Sequence, residues 1–287
     1  DADAGYYSLG TTFFNGARTN LADGQEACAT GTWQDQTGQS SCNDADAGYY
    51  VDSLASTSQT PCPAGKYQGN SGQADCDTAQ PGNYSVGTTI VNGVVTNLAT
   101  APVPCTAGYF TSAAGQSVCT ATQAGYYSNG TLTDANGVVT PADAQVPCPV
   151  GTYQPTTAQA SCIDADAGYY SVGSVAGHGV DSSVNSLATS QTPCASGYYQ
   201  SATAQDECIE VQKGNYSLGT AGGLNVQTTV TSVAIAPIPC PSGYYQGSDG
   251  QSSCDATEAG YYSNGTITDQ TGNTEAAVSQ VPCPAGT

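Results

Sequence analysis

Cys62-Pro63-Ala64-Gly65-Lys66-Tyr67-Gln68-Gly69-Asn70-Ser71-Gly72-Gln73-Ala74-Asp75-Cys76 is one of six near-copies of a single phrase; the others run from Cys28 to Cys42, Cys105 to Cys119, Cys148 to Cys162, Cys194 to Cys208 and Cys240 to Cys254. In each copy glycine follows the first cysteine by three positions, an aromatic residue by five and the second cysteine by fourteen. From Cys28 to Cys283 the first cysteines recur at steps of 34, 43, 43, 46, 46 and 43 residues, the period of a tandem array. The repeats read as 28–61, 62–104, 105–147, 148–193, 194–239 and 240–282, flanked by a partial repeat 1–27 and the start of another at 283–287.

The segments between the pairs carry the same phrase without its cysteines: Ala45-x-x-Gly48-x-Tyr50, Ala79-x-x-Gly82-x-Tyr84, Thr122-x-x-Gly125-x-Tyr127 and Val211-x-x-Gly214-x-Tyr216. Ala45 and Gln59 stand fourteen positions apart, where a cysteine pair would stand, and both cysteines are missing together. Joint loss is expected if each cysteine bonds the one fourteen residues on, because a lone survivor would be a free thiol. The expected disulfides are therefore 28–42, 62–76, 105–119, 148–162, 194–208 and 240–254. Cys283 opens another phrase, Pro282-Cys283-Pro284-Ala285-Gly286, and its partner is expected beyond Thr287 in a longer polypeptide. Zinc would call for closely spaced cysteines or nearby histidines, and neither occurs. Persistent disulfides place the chain outside the reducing cytosol.

Composition narrows the field further. The chain has 287 residues, 3 Lys and Arg against 23 Asp and Glu, and a formal net charge of −20. Three cations cannot neutralise a phosphate backbone or an anionic bilayer surface, so nucleic acid is excluded as a partner. No run approaches the ~20 apolar residues that span a membrane, so no membrane insertion is expected in this segment. Leu, Ile, Val and Phe together make 38 residues, or 13%, too few for one large core. A fold built of small disulfide-rich β-loops and hairpins, in an extended tandem array with little or no helix, is expected.

The longer spacers gain 9 or 12 residues after a Gly-Tyr-Tyr-Ser or Gly-Asn-Tyr-Ser phrase. Thr88-Thr89-Ile90-Val91-Asn92-Gly93-Val94-Val95-Thr96 sets β-branched runs about Asn-Gly, a hairpin signature. Phe14-Asn15-Gly16 and Ala135-Asn136-Gly137-Val138-Val139 read similarly. Three repeats also form a super-repeat, since DADAGYY, the GNYS phrase and AGYYSNGT recur 120 to 135 residues later.

A single cross-link over so short a loop does not offset the conformational entropy of ordering it. Each loop must therefore lean on the adjacent one, and the aromatics are the obvious filling. Trp33, Tyr67, Phe110, Tyr153, Tyr199 and Tyr245 hold one equivalent position, and Tyr7, Tyr50, Tyr84, Tyr127, Tyr170, Tyr216 and Tyr262 the other, so an aromatic ladder is expected. Sugar-binding platforms are the competing reading of the same rings.

The pattern C-x-x-G-x-[YFW]-x(5)-[GA]-Q-x-x-C resembles the ephrin-receptor-like cysteine-rich repeat, related to the A-type module of tumour necrosis factor receptors. The resemblance covers nearly the whole chain and is clearest from Cys62 to Cys76. It implies small disulfide-closed β-loops strung in series in the extracellular regions of receptors and of very large secreted or surface proteins. That family commonly continues C-x-x-C between units, whereas Ala45, Ala79, Thr122, Ala165, Val211 and Thr257 occupy the second cysteine's place here. Neighbouring strands or covalent sugar are then expected to stabilise the alternate loops.

Asn-x-Ser/Thr occurs at Asn83, Asn129, Asn215 and Asn264, at two equivalent repeat positions, which points to N-linked glycans in a eukaryotic secretory pathway; the bland reading is that asparagine is a turn residue. Asp44 with Asp46, and their copies Asp164 with Asp166 and Asp1 with Asp3, offer oxygen ligands of the kind calcium takes, but two carboxylates are too few and solvated turn acids are the better reading. Beyond glycans and that weak calcium signal no cofactor is expected. His178, the sole histidine, reads as a solvated loop residue, and with the cysteines sequestered no catalytic constellation forms, so no enzyme is expected. Two functions stay open: a secreted structural chain that associates with its own copies in an extracellular filament or appendage, and the ectodomain of a receptor or adhesin that binds protein or glycan. A non-reducing peptide map is expected to yield only links of fourteen residues, and a Cys42–Cys62 link would refute the pairing.

Overall fold

The computed structural model describes residues 1–10, 12–15, 17–20, 24–174, 187–220 and 233–284. It is all-β, with no helix among the described residues, and every paired strand belongs to a two-stranded antiparallel ladder. The chain forms two compact units, Asp1–Thr122 with Ser128–Gln145, and Gln123–Tyr127 with Val146–Thr287. His178 lies outside the described residues, as do the side chains of the Thr12–Phe14 and Ala17–Asn20 hairpin.

The building block is a loop pinched by two dipeptide strands. In the Cys62 loop, Lys66 and Tyr67 pair with Thr78 and Asp77, the strand just past the second cysteine. The loop opens with a tight turn in which the Lys66 N–H donates to the Pro63 carbonyl at 3.0 Å. Gly65, at the third corner with φ of 84°, supplies the left-handed backbone that a type II turn requires. An open loop without cysteines repeats the plan: Asn83 and Tyr84 pair with Pro104 and Val103, directly before Cys105.

Every junction between consecutive loops within either unit is made by the same four backbone hydrogen bonds. From the Cys28 loop to the Ala45 loop they run from Gly31 N–H to Val51 C=O, Gln34 to Ser56, Ala45 to Gly31 and Ala55 to Cys28, at 2.7 to 3.0 Å. From the Ala45 loop to the Cys62 loop they run from Gly48 to Gln68, Val51 to Gln73, Cys62 to Gly48 and Gly72 to Ala45. The second unit repeats the set, for example Gly197 to Ser217, Gln200 to Ala234, Val211 to Gly197 and Thr220 to Cys194. Short loops thus satisfy their backbone through their neighbours rather than through a wide sheet.

Coupling also reaches one loop further than a nearest-neighbour scheme allows. A methyl group on Gly65 would lie 2.1 Å from the carbonyl oxygen of Gly115, two loops on, and one on Gly197 would lie 2.1 Å from that of Gly250. At the third position after cysteine, glycine is required twice over at Gly31, Gly65, Gly151 and Gly197, by the turn and by this close approach, and by the turn at Gly243.

What is buried is small. The first cysteines of all six pairs and their stand-ins Ala45, Ala79, Thr122, Ala165 and Val211 are almost wholly enclosed, so an open loop keeps a plug where the cysteine would sit. Around Cys62, Cys76 and Ala99 the rings of Tyr50 and Tyr67 pack from consecutive loops.

The inserts that fall among the described residues are hairpins, with two kinds of turn. Thr89–Val91 pairs with Val94–Asn97 about Asn92 and Gly93, both at positive φ (51° and 77°), as the Asn-Gly reading expects. Leu132–Thr133 pairs with Val139–Thr140 across a longer turn. There only Gly137 is left-handed, and Asp134 Oδ1 accepts the Asn136 and Val138 N–H groups. The aspartate side chain holds that turn in place of an Asn-Gly corner.

At the second left-handed corner of the stapled loops, Gly38, Gly72, Gly115 and Gly250 correspond to Ala158 (φ 59°) and Ala204 (φ 58°). Ala158→Gly and Ala204→Gly are expected to stabilise by about 0.5–1 kcal/mol in chemical denaturation, since relief of the left-handed strain exceeds the entropy glycine adds to the unfolded chain. Gly65→Ala is expected to cost about 3 kcal/mol or more by the same assay.

Candidate functional site

The six disulfides join Cys28–Cys42, Cys62–Cys76, Cys105–Cys119, Cys148–Cys162, Cys194–Cys208 and Cys240–Cys254, each across fourteen residues with Cα atoms 5.7 to 5.8 Å apart. Cys283 is an exposed thiol. The six closed bonds suit an oxidising, extracellular setting. Among the described residues no helix is long and apolar enough to cross a membrane.

In several of the loops that lack the staple a glutamine clamps the loop, whereas the Ala79 and Val211 loops carry Pro102 and Pro237 at that place. Gln59, at the position of the absent second cysteine, accepts the Asp46 N–H at 2.6 Å through Oε1 and donates through Nε2 to Asp46 Oδ2 at 2.7 Å. Gln25 holds Asp3 and Gln191 holds Asp166 in the same two-point way. Gln280 accepts the Glu258 N–H at 2.7 Å. Asp3, Asp46 and Asp166 are thus turn acids engaged in the fold, and no group of three or more potential metal ligands forms among the described residues. The clamp was legible as the recurring Gln-[Thr/Val]-Pro-Cys before Cys62, Cys148, Cys194 and Cys283, a signal that reasoning from cysteines alone passed over.

A second glutamine closes the stapled loops. Gln68, directly after the aromatic, is buried; its Nε2 donates to the Asp75 carbonyl at 3.0 Å and its Oε1 accepts the Asn70 N–H at 3.0 Å. Gln34, Gln154, Gln200 and Gln246 repeat this bridge, and Thr111 replaces it in the Cys105 loop. Both glutamines let polar side chains do the work that an oily core does elsewhere.

The rings Trp33, Tyr67, Phe110, Tyr153, Tyr199 and Tyr245 all sit half-buried on the first strand of their loops. Trp33 departs from the others in leaving its indole Nε1 buried without a hydrogen-bond partner.

The four sequons fall at two structurally distinct places. Asn129 and Asn264 are exposed; Asn83 and Asn215 are half-buried on paired strands. Their hydroxyl partners are part of the fold. Ser85 donates to the Lys66 carbonyl and Ser217 to the Tyr198 carbonyl, both at 2.8 Å, and both serines are buried. Thr131 donates to the Gly82 carbonyl and Thr266 to the Gly214 carbonyl. The phrase Ser-x-Gly-[Ser/Thr] therefore has a structural cause: its serine ties the open loop to the preceding stapled loop, and its last hydroxyl ties it to the open loop before that. Thr88 shows the second tie in full, donating to the Gly48 carbonyl at 2.7 Å and accepting the Ala99 N–H at 3.0 Å.

Charge contributes little. One ion pair occurs among the described residues, Lys66 to Asp75 at 3.1 Å. That ammonium, with the Cys76 N–H, lowers the Asp75 pKa below its ordinary value; the associated stability is present above pH 3.8 and is lost as pH falls through the lowered value. Both partners are substantially exposed, so the effect is small. The Tyr7 phenol donates to Glu26 Oε2 at 2.7 Å, which raises its pKa.

No protein-family model matches the chain, and no curated protein matches it.

Gln59→Ala is expected to cost about 1 kcal/mol in chemical denaturation. Gln59→Glu would set a second carboxylate against Asp46, so its larger loss at pH 7 should shrink as pH falls below about 4. The pair Ala45→Cys with Gln59→Cys is expected to oxidise to a seventh disulfide, read by a thiol titration that finds Cys283 alone free, as in the wild type, where an unclosed pair would add two thiols to it.

Proposed function

We propose that this chain is part of a secreted structural protein, built of ephrin-receptor-like cysteine-rich repeats, that forms or coats an extracellular filament or surface appendage. The observation that carries the reading is the equivalence of the junctions: the same four backbone bonds recur between consecutive loops in both units, so no loop is set aside for a special task. A structural polymer needs equivalent units and no unique centre, whereas binding proteins usually break their repeat to make one. The reading assigns the molecule no catalytic step. It places N-linked glycans on Asn129 and Asn264, whose side chains have room, and only partial occupancy on half-buried Asn83 and Asn215. Because the sequon hydroxyls are held in the folded loops, attachment has to precede folding.

One observation favours the receptor or adhesin reading. A shallow cavity of about 300 Å³ is lined by Tyr170, Pro193, Ala195, Tyr198, Glu207 and Cys208. Paired tyrosines beside a carboxylate suit a sugar ring or a cationic side chain. Its volume is at the lower limit for ligand pockets, and the structural reading is preferred.

Electron microscopy of native material is the test. Uniform fibres with a constant axial period are expected, with glycopeptides at Asn129 and Asn264. Monodisperse particles that bind a defined ligand, lost on Tyr198→Ala, would instead establish the receptor reading.

A further inference from the structure

We infer that the hairpin Thr89–Val91/Val94–Asn97 is a self-association surface, at which one copy of the chain pairs edge to edge with the same hairpin of a second copy. The inference deepens the structural reading, and rests on it only for the premise that copies of this chain meet.

Three observations converge on this hairpin. First, directly opposed residues share a face, so Ile90 and Val95 lie on one face of the ribbon and Val91 and Val94 on the other. All four are open to solvent, at 46%, 47%, 55% and 64%. Neither face covers the core, and an isolated two-stranded ribbon with β-branched residues on both sides is only marginally stable in water. Its base, by contrast, is tied down: Asn97 Nδ2 donates to the Gly87 carbonyl at 2.6 Å, and Thr88 is bonded as described above. The apolar part projects from a fixed anchor.

Second, both outer edges of this ribbon are unpaired. Proteins normally protect such edges with a charge, a proline or a bulge. The other insert hairpins among the described residues carry charges: Arg18 in the Thr12–Phe14/Ala17–Asn20 hairpin, Asp134 in the Leu132–Thr133/Val139–Thr140 turn, and Asp269 and Glu275 in the Ile267–Thr268/Thr274–Glu275 hairpin. The Thr89–Asn97 hairpin carries none. A bulge between Thr89 and Ile90 sits at its base and leaves the Ile90–Val95 portion regular.

Third, electrostatics select the occupant. The chain has 26 charged residues in 287, yet the 56 residues from Thr78 to Thr133 contain no Asp, Glu, Lys, Arg or His. Two copies at a formal charge of −20 each repel where their carboxylates meet, and this uncharged stretch is where they can approach without that cost. An edge-to-edge pair of identical strands is also self-complementary about a two-fold axis, so one hairpin supplies both halves of the contact. An interface this small is weak, with a dissociation constant on the order of 100 µM.

Sedimentation velocity across a dilution series up to about 1 mM, roughly ten times that constant, tests this on the whole chain. The wild type is expected to shift toward dimer with rising concentration, more so in 0.5 M salt on the order of which repulsion is screened. The variant V91K/V94K, whose side chains leave the loop junctions untouched, is expected to sediment as a monomer with an unchanged melting temperature. L132K, on the hairpin that already carries Asp134, is expected to dimerise as the wild type does. A wild type that stays monomeric throughout, or a V91K/V94K chain that dimerises as well as the wild type, would overturn the inference. Fibres that form from V91K/V94K as from the wild type would overturn this surface while leaving the structural reading intact.

Discussion

The backbone amide of the glycine at each loop's opening turn, donating to a carbonyl in the following loop, is the contact on which this molecule depends. A loop of some seventeen residues with a two-residue ladder has no means of satisfying its own peptide groups. Gly65 illustrates the solution: its N–H goes to Ser85 in the next loop, while its carbonyl receives Ala79. Its missing side chain leaves room for the Gly115 carbonyl from the loop after that. One residue type thus sets the turn, donates to the next loop, accepts from it and touches the one beyond.

Given that arrangement, the alternation of stapled and open loops is less of a deficit than cysteine counting suggests. Alanine fills the volume of the absent sulfur in most open loops, and in those closed by Gln25, Gln59 and Gln191 the Gln–Asp clamp occupies the place of the disulfide. They differ in what they act on. A disulfide restricts the unfolded chain, whereas the clamp offers only folded-state hydrogen bonds that water can replace. Open loops should consequently be the softer members of each unit, and every insert in the chain is placed in one of them. Variation is concentrated where the loop is held least rigidly, while the stapled loops keep constant length.

Much of this was legible in the sequence. The C-x13-C spacing and the paired loss of cysteines gave the covalent scheme, and Asn92-Gly93 gave its hairpin, because each depends on local chemistry that one residue type dominates. The misses have a common cause. Gln59 and Gln68 act through side-chain bonds across their own loops, and Ser85 and Thr88 through bonds to backbone groups in other loops, and a buried glutamine or serine looks in sequence like the ordinary polar residue of a loop. Coupling through Gly65 to Gly115 was likewise hidden, since glycine's role at a turn masks its role at a contact. The sequons show the opposite hazard: their regular placement suggested glycosylation, yet Ser85, Thr131, Ser217 and Thr266 recur for reasons of folding as well.

If loops stand only by leaning on one another, opening one must loosen the next. Native-state hydrogen exchange on the chain carrying Cys62→Ala together with Cys76→Ala measures this most directly, read at the amides of Gly48, Cys105 and Gly115. The account predicts faster exchange at Gly48 in the preceding loop and at Cys105 and Gly115 beyond the lost staple, grading off toward Gly31. Unchanged protection at all of these amides, with acceleration confined to residues 62–76, would show that the loops fold independently and would contradict it.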